Sequence, residues 1–520
     1  HCRRDFCLKG ALPVLIDVPL KHPTASDLTA SLAQCVQRIV QSETELQSIR
    51  FQGAVRLTIT AMEAQLKKRA GHAVSWLCLL LAFLVNEDEE SQENCRLAGG
   101  VALLVSILRT FSSDVPVVEQ ACLCLQAQLV SVASVNEFVD PCRGLDTTCK
   151  ILLEHQHVAA VAEACCGFLV AVLTEESAID RFRDHKGLFG LTQVVQRHTG
   201  QPDFMIHAWK VFDRLSISDT ALEELDDMGA MRILADSLRI HLDQPFVLAP
   251  ACEALCDFSL HAQTRKLLGR EGVCKLLVDA LTIHQGEPLR QEFALPHIFM
   301  ALNNVLCDEE ENIDIFNQAR GVVQLVKILS ERLESHAVLL PLCQCLLELS
   351  ASRESRRCFV EFGGFVQVVE LFRHPKSTGE VLTMCIRLVG ALCEEDERCC
   401  TALLKLGGVT PLVASLHRCF RDREVARRGC VTIMRLSSAS GEAARELLRA
   451  GVMSWLDDVY HQHGKRSTAG WQQETFAPGT ANSTYDEGDF KDVVDPLREM
   501  RQLVEETRRV VHHMSGVPEE

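Results

Sequence analysis

Apolar residues recur at helical spacing along most of the chain, in stretches of about ten to fifteen residues separated by polar or glycine-containing segments. One kind of stretch begins at a glycine, as in the sequence GVALLVSIL that starts at Gly100. A longer stretch rich in Ala, Leu and Cys follows it, as at residues 118–132 and 382–393. A short helix is also predicted before each glycine, because glycine readily adopts the left-handed conformation that closes a helix. The pattern therefore predicts three helices in each unit.

The glycine that precedes the apolar stretch returns at intervals of 42 to 49 residues through most of the chain. A regular period of this length over many units indicates a stack of helical repeats, in which each unit buries its apolar face against its neighbours. The glycines are Gly10, Gly53, Gly100, Gly144, Gly187, Gly229, Gly272, Gly321, Gly364, Gly408 and Gly451.

This unit resembles the armadillo repeat, which has a short helix, a glycine, a second helix with an apolar-x-x-L start, and a third helix rich in Ala and Leu. The resemblance covers residues 1 to about 461. It implies an all-α, right-handed solenoid of about ten to eleven repeats, with the third helices lining a groove that binds protein partners. The eleventh unit, which begins near Gly441, stops after its second helix.

The groove lacks the asparagine ladder of the nuclear import adaptors, which are members of the same family. In those adaptors an Asn on successive third helices binds the backbone of an extended peptide, with a Trp one turn earlier. Only Asn304 matches at that position, and no Trp stands one turn earlier, so an import adaptor is the least favoured function. The residues at the position are Arg38, Ala82, Gln128, Ala171, Arg214, Asp257, Asn304, Glu348, Gly390 and Arg435.

The middle of the predicted groove carries charges of both signs, and it is the predicted partner-binding site. One interpretation is a surface that selects a partner with a complementary charge pattern, since such patterns set specificity more than affinity. The alternative is an ordinary solvated face of the helices. The predicted site consists of Lys210, Arg214, Glu253, Asp257, Met300, Asn304, Gln344 and Glu348.

Acidic runs follow several third helices, at residues 87–90, 175–176, 308–311 and 394–397. Equivalent loops of a solenoid lie along one edge, so these runs could form a negative ridge that attracts a basic or extended segment of a partner. The alternative is local, because acidic residues at the start of a helix interact favourably with its dipole.

Composition restricts the choice of ligand and compartment. The 520 residues carry 53 Lys and Arg against 70 Asp and Glu, a net charge of −17, which disfavours nucleic acid as the main ligand. The longest apolar run, residues 74–85, is too short to span a bilayer. The 24 cysteines include no C-x-x-C motif, so we expect reduced thiols in the cytoplasm or nucleus, many of them filling the repeat core.

No catalytic, cofactor or metal motif stands out. The chain has no G-x-S-x-G, H-E-x-x-H, phosphate-loop or G-x-G-x-x-G sequence, so neither enzyme activity nor a cofactor is predicted. Cys252, Cys256 and His261 are close enough in sequence to share a metal, but a fourth ligand is not visible.

The C-terminal region changes character after residue 461. Residues 462–489 are predicted to be a flexible linker, and residues 490–514 an amphipathic helix. This helix either covers the unfinished last repeat or mediates dimerisation or partner binding. Its apolar stripe consists of Val493, Leu497, Met500, Val504, Thr507, Val511 and Met514.

Together these features predict a non-catalytic scaffold that binds one or more proteins. The alternative is the regulatory armadillo region of a larger enzyme, kinase-like or a ubiquitin ligase, whose catalytic domain lies upstream of His1. The sequence identifies neither the partner nor the oligomeric state.

Overall fold

The computed structural model describes residues 53–285, 288–331, 335–374, 379–464 and 496–516, with a few single positions between residues 27 and 50. These residues are mostly α-helix, and none of them forms a strand. The chain folds as two compact units, His1–Leu276 and Leu277–Glu520. Within each unit, consecutive helices pack on their neighbours as an all-α solenoid, which confirms the predicted fold class.

The first unit contains fifteen described helices and the start of a sixteenth, α16, which contains the division between the units. They are α1 Ala54–Lys67, α2 Gly71–Val85, α3 Glu89–Leu97, α4 Gly100–Thr110, α5 Val115–Gln128, α6 Val132–Val139, α7 Gly144–Glu154, α8 Ala159–Val172, α9 Glu176–Asp184, α10 Gly187–His198, α11 Pro202–Leu215, α12 Asp219–Asp227, α13 Ala230–Ile240, α14 Pro245–Phe258, α15 Ala262–Arg270 and α16 Val273–His284.

The second unit continues the same succession and ends with a π-helical turn, Tyr460–Gly464, and a separate C-terminal helix. Its helices are α17 Pro288–Leu306, α18 Glu310–Gln318, α19 Gly321–Glu331, α20 His336–Leu349, α21 Arg353–Glu361, α22 Gly364–Arg373, α23 Gly379–Glu395, α24 Glu397–Lys405, α25 Val409–Arg418, α26 Arg423–Ala439, α27 Gly441–Arg449, α28 Val452–Val459 and α29 Pro496–Ser515.

Every third helix in this order is the core helix of its repeat. In the first unit α2, α5, α8, α11 and α14 pack side by side in that order. In the second unit α17, α20, α23 and α26 do the same. Several of the short first helices start where a Ser or Asp side chain accepts a hydrogen bond from the helix backbone, as Ser218 does from the amide of Ala221.

The repeating glycine has one of two structural roles. The left-handed conformation that the sequence predicts is present at Gly53, Gly229, Gly272 and Gly451. In several repeats the left-handed residue is the one before it, for example Lys186 with φ 62° before Gly187. Gly187 itself is the first residue of α10, and a Cβ there would lie 2.4 Å from the ring of Phe182 on α9. In these repeats the glycine is needed because the preceding helix approaches it closely.

The cysteines of the third helices pack in the core, as predicted, with one exception. Cys78, Cys252 and Cys430 are fully buried, whereas Cys35 is exposed. Neighbouring third helices bring thiols together without a disulfide, since the Sγ atoms of Cys122 and Cys165 lie 3.7 Å apart. A small thiol suits this position because adjacent third helices approach closely.

The C-terminal helix α29 packs against α26 as one third helix packs on the next, and it also contacts α27 and α28. Met500, Val504, Thr507 and Val511 are buried, while Met514 remains 36% exposed. Each fully buried apolar side chain of this size contributes about 1.5–3 kcal/mol. The helix therefore covers the last repeat in this chain, at the place where its third helix is missing; most of the predicted linker lies outside the described residues.

Candidate partner-binding surface

Helix α11 presents three basic side chains along one face. Its opposite face is fixed in the core by Trp209 and Phe212, which are buried, so His207, Lys210 and Arg214 lie toward the outside. Lys210 is exposed and His207 and Arg214 are half-buried. Burial, and then the neighbouring Lys210, lower the pKa of His207.

Arg214 has an unsatisfied donor. Its Nε atom is buried, and no hydrogen-bond partner for it exists among the described residues. A buried donor without a partner is costly to stability.

Acidic side chains lie directly beside this basic row. The carboxyl groups of Asp213 on α11 and Asp257 on α14 are within hydrogen-bonding reach of each other, with Glu253 nearby. Burial, then the charge and hydrogen bond of Asp257, raise the pKa of Asp213 to about 6, against the opposing effect of Arg214. The structure thus adds Asp213, which sequence reasoning missed because it does not occupy the ladder position.

The four predicted site residues of the second unit are less alike. Met300 is 52% exposed and Gln344 is exposed, while Asn304 and Glu348 are half-buried. Burial and the charge of Asp308 raise the pKa of Glu348, whereas Arg387 opposes this shift. Arg387 on α23 is therefore a second charged neighbour that the sequence analysis did not include.

The ladder position does not face outward in every repeat. Gln128 is completely buried, and its amide donates to the backbone oxygen of Gln92 over 2.8 Å. Gly390 is also buried, because Thr432 of the next third helix occupies the space beside it. These two ladder positions therefore cannot contact a ligand.

The acidic runs contribute to helix starts. Burial alone would raise the pKa of Asp88, but hydrogen bonds from Ser91 and Gln47, with the charge of Arg50, lower it overall. Asp396 has the corresponding position at the start of α24, where it accepts from the amide of Arg398 over 2.9 Å. These two residues fit the local interpretation, while Glu87, Glu89 and Glu175 are exposed.

The possible metal ligands point to no metal site. Cys252 and Cys256 are buried, and His261 instead pairs with Asp219 at 2.8 Å and with the backbone oxygen of Ser216. Among the described residues, no group of three His, Cys, Asp or Glu side chains could hold a metal ion.

A row of histidines at the ends of second helices was not recognised from the sequence. The Nε2 atom of His155 lies 2.5 Å from the backbone oxygen of Ser112, and that of His241 lies 2.6 Å from the oxygen of Thr199. His198 repeats this contact with Gln156 at 3.1 Å. The signal was present, since these histidines are spaced by one repeat length. Each of these three histidines connects the second helix of its repeat to the loop after the second helix of the preceding repeat.

No single helix in the described residues is long and apolar enough to cross a membrane. The helices α24 and α25 reach the length and apolar composition of a membrane span only when they are combined, and the chain bends by 83° between them.

Comparisons with known proteins identify the fold and leave the family open. No protein-family model matches the chain, and no curated protein matches it. The structure is similar to the crystal structure of an engineered protein, with a TM-score of 0.67, 19% identity, and coverage of 88% of this chain and 98% of the other. It is also similar to a chain solved in work on a conserved phosphorylation switch that controls the interaction between cadherin and beta-catenin, with a TM-score of 0.55, 14% identity, and coverage of 96% and 99%.

Proposed function

We propose that this chain is a non-catalytic scaffold of the armadillo type that binds protein partners through the exposed surface of its third helices. The observation that carries the proposal is the surface of α11 and α14, where basic Lys210 and Arg214 adjoin acidic Asp213 and Asp257. Complementary charges on a partner would select it from others and fix its register. The similarity to a chain from the cadherin and beta-catenin work supports a partner-binding role.

The half-buried Arg214 indicates what part of the partner binds here. An acidic side chain or a backbone carbonyl of the partner would accept hydrogen bonds from its guanidinium group. The half-buried Asp213 and Asp257 would in turn accept a basic side chain, which would favour the ionised form of Asp213. The partner segment would therefore carry both an acceptor and a cation within a short distance.

We also propose that the protein works in a reducing compartment, the cytoplasm or the nucleus. The support is that none of the 22 cysteines in the described part of the chain forms a disulfide. Burial raises the pKa of thiols such as Cys274 to about 12, so they remain protonated and unreactive at neutral pH.

Charge reversal tests the scaffold proposal. Cells expressing the full chain with Lys210→Glu and Arg214→Glu should lose at least tenfold of the partner protein recovered by cross-linking and mass spectrometry. The matched control is Arg232→Glu with Lys275→Glu, which makes the same charge change at two exposed positions of second helices. Unchanged recovery with the first pair, or an equal loss with the control, would contradict the proposed surface.

A further inference from the structure

The first unit carries an apolar hollow that lies outside the charged surface. The hollow has a volume of about 730 Å³ and is formed by α2 and α5, with the start of α3 at its edge. Its apolar lining includes half-buried side chains and the 66% exposed Val130. These apolar residues are Leu79, Ala82, Phe83, Leu123, Ala127 and Val130.

A second hollow of about 480 Å³ adjoins the first one and is formed by α6, the C-terminal half of α8 and the start of α9. The two share Val130, and the side chain of Gln126 in the first lies directly against Gly167 in the second. Val170 and Ala171 supply apolar floor, and Arg214 lies at the far end. The third helices α2, α5 and α8, with Val130 and the apolar side chains of α6, thus line one continuous surface, hereafter the apolar groove.

The floor that the third helices form offers little to the backbone of an extended peptide. Among the third-helix residues that line the two hollows, Gln126 carries the one amide group, and Arg214 the one charge. The other polar lining residues lie outside the third helices, and they are Asn86, Glu87, Glu89, Gln92, Asn136, Asp140, Thr174, Glu175 and Ser177. Backbone N–H and C=O groups need hydrogen-bond partners when they are buried. An extended occupant would leave most of its groups unsatisfied on this floor, whereas an α-helix satisfies them internally and can bury an apolar stripe.

The charges around the groove favour one direction of the bound helix. Exposed Glu87 and Glu89 border the hollow at α2, and the half-buried Arg214 borders the hollow at α8. The acidic pair would interact favourably with the N-terminus of a bound helix, and the cation with its C-terminus, because the helix dipole is positive at the first end and negative at the second. Basic side chains on the bound helix would also pair with the exposed Glu175 on the rim.

We propose that the apolar groove binds an amphipathic α-helix of a partner protein, with its N-terminus at Glu87 and Glu89 and its C-terminus at Arg214. Packed helices are about 8–10 Å apart, so the three steps from α2 to α11 span roughly 24–30 Å. At about 1.5 Å per residue the bound helix has about 16–20 residues. This inference rests on the scaffold function proposed above and names the chemistry of one partner.

A displayed library of random 18-residue peptides, panned on the full chain, provides the test. We expect enriched peptides with apolar residues at i, i+3, i+4 and i+7 spacing and flanking Lys or Arg. Their affinity, measured by fluorescence anisotropy, should fall at least tenfold with Ala127→Arg and with Ala171→Arg, which both fill the groove. Ala133→Arg is the matched control, because Ala133 is exposed on α6 and does not line either hollow. Circular dichroism and urea unfolding verify that each variant is folded.

Several results would overturn the proposal. These are no enrichment, enriched peptides that lack the apolar stripe or tolerate an internal proline, and equal binding to the Ala127→Arg and Ala133→Arg proteins. A photo-reactive group at the peptide N-terminus should cross-link to residues near Glu87, so attachment near Arg214 instead would refute the assigned direction. Concentration-dependent self-association that Ala127→Arg abolishes would mean that a second copy occupies the groove, which also overturns it.

The two proposals can fail separately. If Lys210→Glu with Arg214→Glu abolishes partner recovery but no helical peptide is enriched, the groove proposal fails and the scaffold function stands. If peptides bind as expected but the charge reversal leaves partner recovery unchanged, the charged surface is wrong and the apolar groove is retained.

Discussion

The two adjacent glycines Gly363 and Gly364 should tolerate substitution very differently. A Cβ at Gly363 would lie 4.0 Å from its nearest neighbour, a methyl group of Val366, so only the backbone φ of 79° limits the side chain there. At Gly364, the first residue of α22, a Cβ would lie 2.4 Å from Cε2 of Phe359. Two carbon atoms in normal van der Waals contact are about 3.5–4.0 Å apart, so this distance is shorter by about 1 Å or more.

The expected magnitudes follow from these distances. Gly363→Lys costs about 1–2 kcal/mol for the left-handed conformation, partly offset by about 0.4–1 kcal/mol from a less flexible unfolded chain. Lys186 and Arg320 already adopt this conformation at the equivalent position. Gly364→Ala costs about 1–3 kcal/mol, because a packed aromatic ring must move.

Other repeats of the chain suggest a second substitution that should offset the destabilisation by Gly364→Ala. Where the first helix carries Leu in place of Phe, the first residue of the second helix can be larger than glycine, as in the pair Leu225 and Ala230. The double variant Phe359→Leu with Gly364→Ala should therefore be more stable than the sum of the two single changes predicts, with a coupling energy of about 0.5–3 kcal/mol.

Hydrogen exchange of the α22 amides, measured by mass spectrometry, gives the local opening free energy that these comparisons need. Urea unfolding gives a second measure. The reasoning would be refuted if Gly363→Lys were as destabilising as Gly364→Ala, or if the double variant showed no favourable coupling.

Three further predictions concern buried contacts. Because the native pKa of Asp213 is raised to about 6, the native state binds this proton more tightly than the unfolded chain, so stability falls as pH rises from about 4 to 6; Asp213→Asn should flatten this dependence in urea titrations, and an unchanged pH profile would contradict the shift. His241→Phe should cost about 1–3 kcal/mol in urea unfolding, since the oxygen of Thr199 loses its partner, and a neutral effect would show that the contact is dispensable. Val504→Ala should cost about 2 kcal/mol and accelerate hydrogen exchange in α29; unchanged exchange would argue against its packing on α26.

The sequence predicts the helices and their repeat because both depend on local spacing. Apolar residues at helical intervals must face the core, and third helices such as α5 lie within a few residues of their predicted bounds. The long interval of 49 residues between Gly272 and Gly321 could hold either a longer loop or a longer helix, and the structure places 19 residues in α17. Length alone could not distinguish the two, because helix propensity continues through the inserted residues.

Contacts between repeats were beyond the sequence reasoning. The clash between Phe359 and a Cβ at position 364 depends on how closely two helices cross, which no spacing rule gives. Gln128 was assigned to the surface, but it turns inward because the backbone oxygen of Gln92 needs a donor there. Asp213 entered the candidate site for a similar reason, since its neighbour Asp257 belongs to the next repeat.

The chemistry of the third-helix surface can vary without affecting the core that positions it. Leu81, Leu125 and Leu169 are buried at comparable places in α2, α5 and α8, and the backbone that they hold repeats closely. The adjacent outward positions carry small apolar residues up to Ala171 and a charge at Arg214. Stability then comes from the repeated core, whereas partner choice comes from outward positions that contribute little to folding. Substitutions such as Ala127→Arg should therefore change binding while the urea midpoint stays almost constant, and this separation is what a scaffold requires.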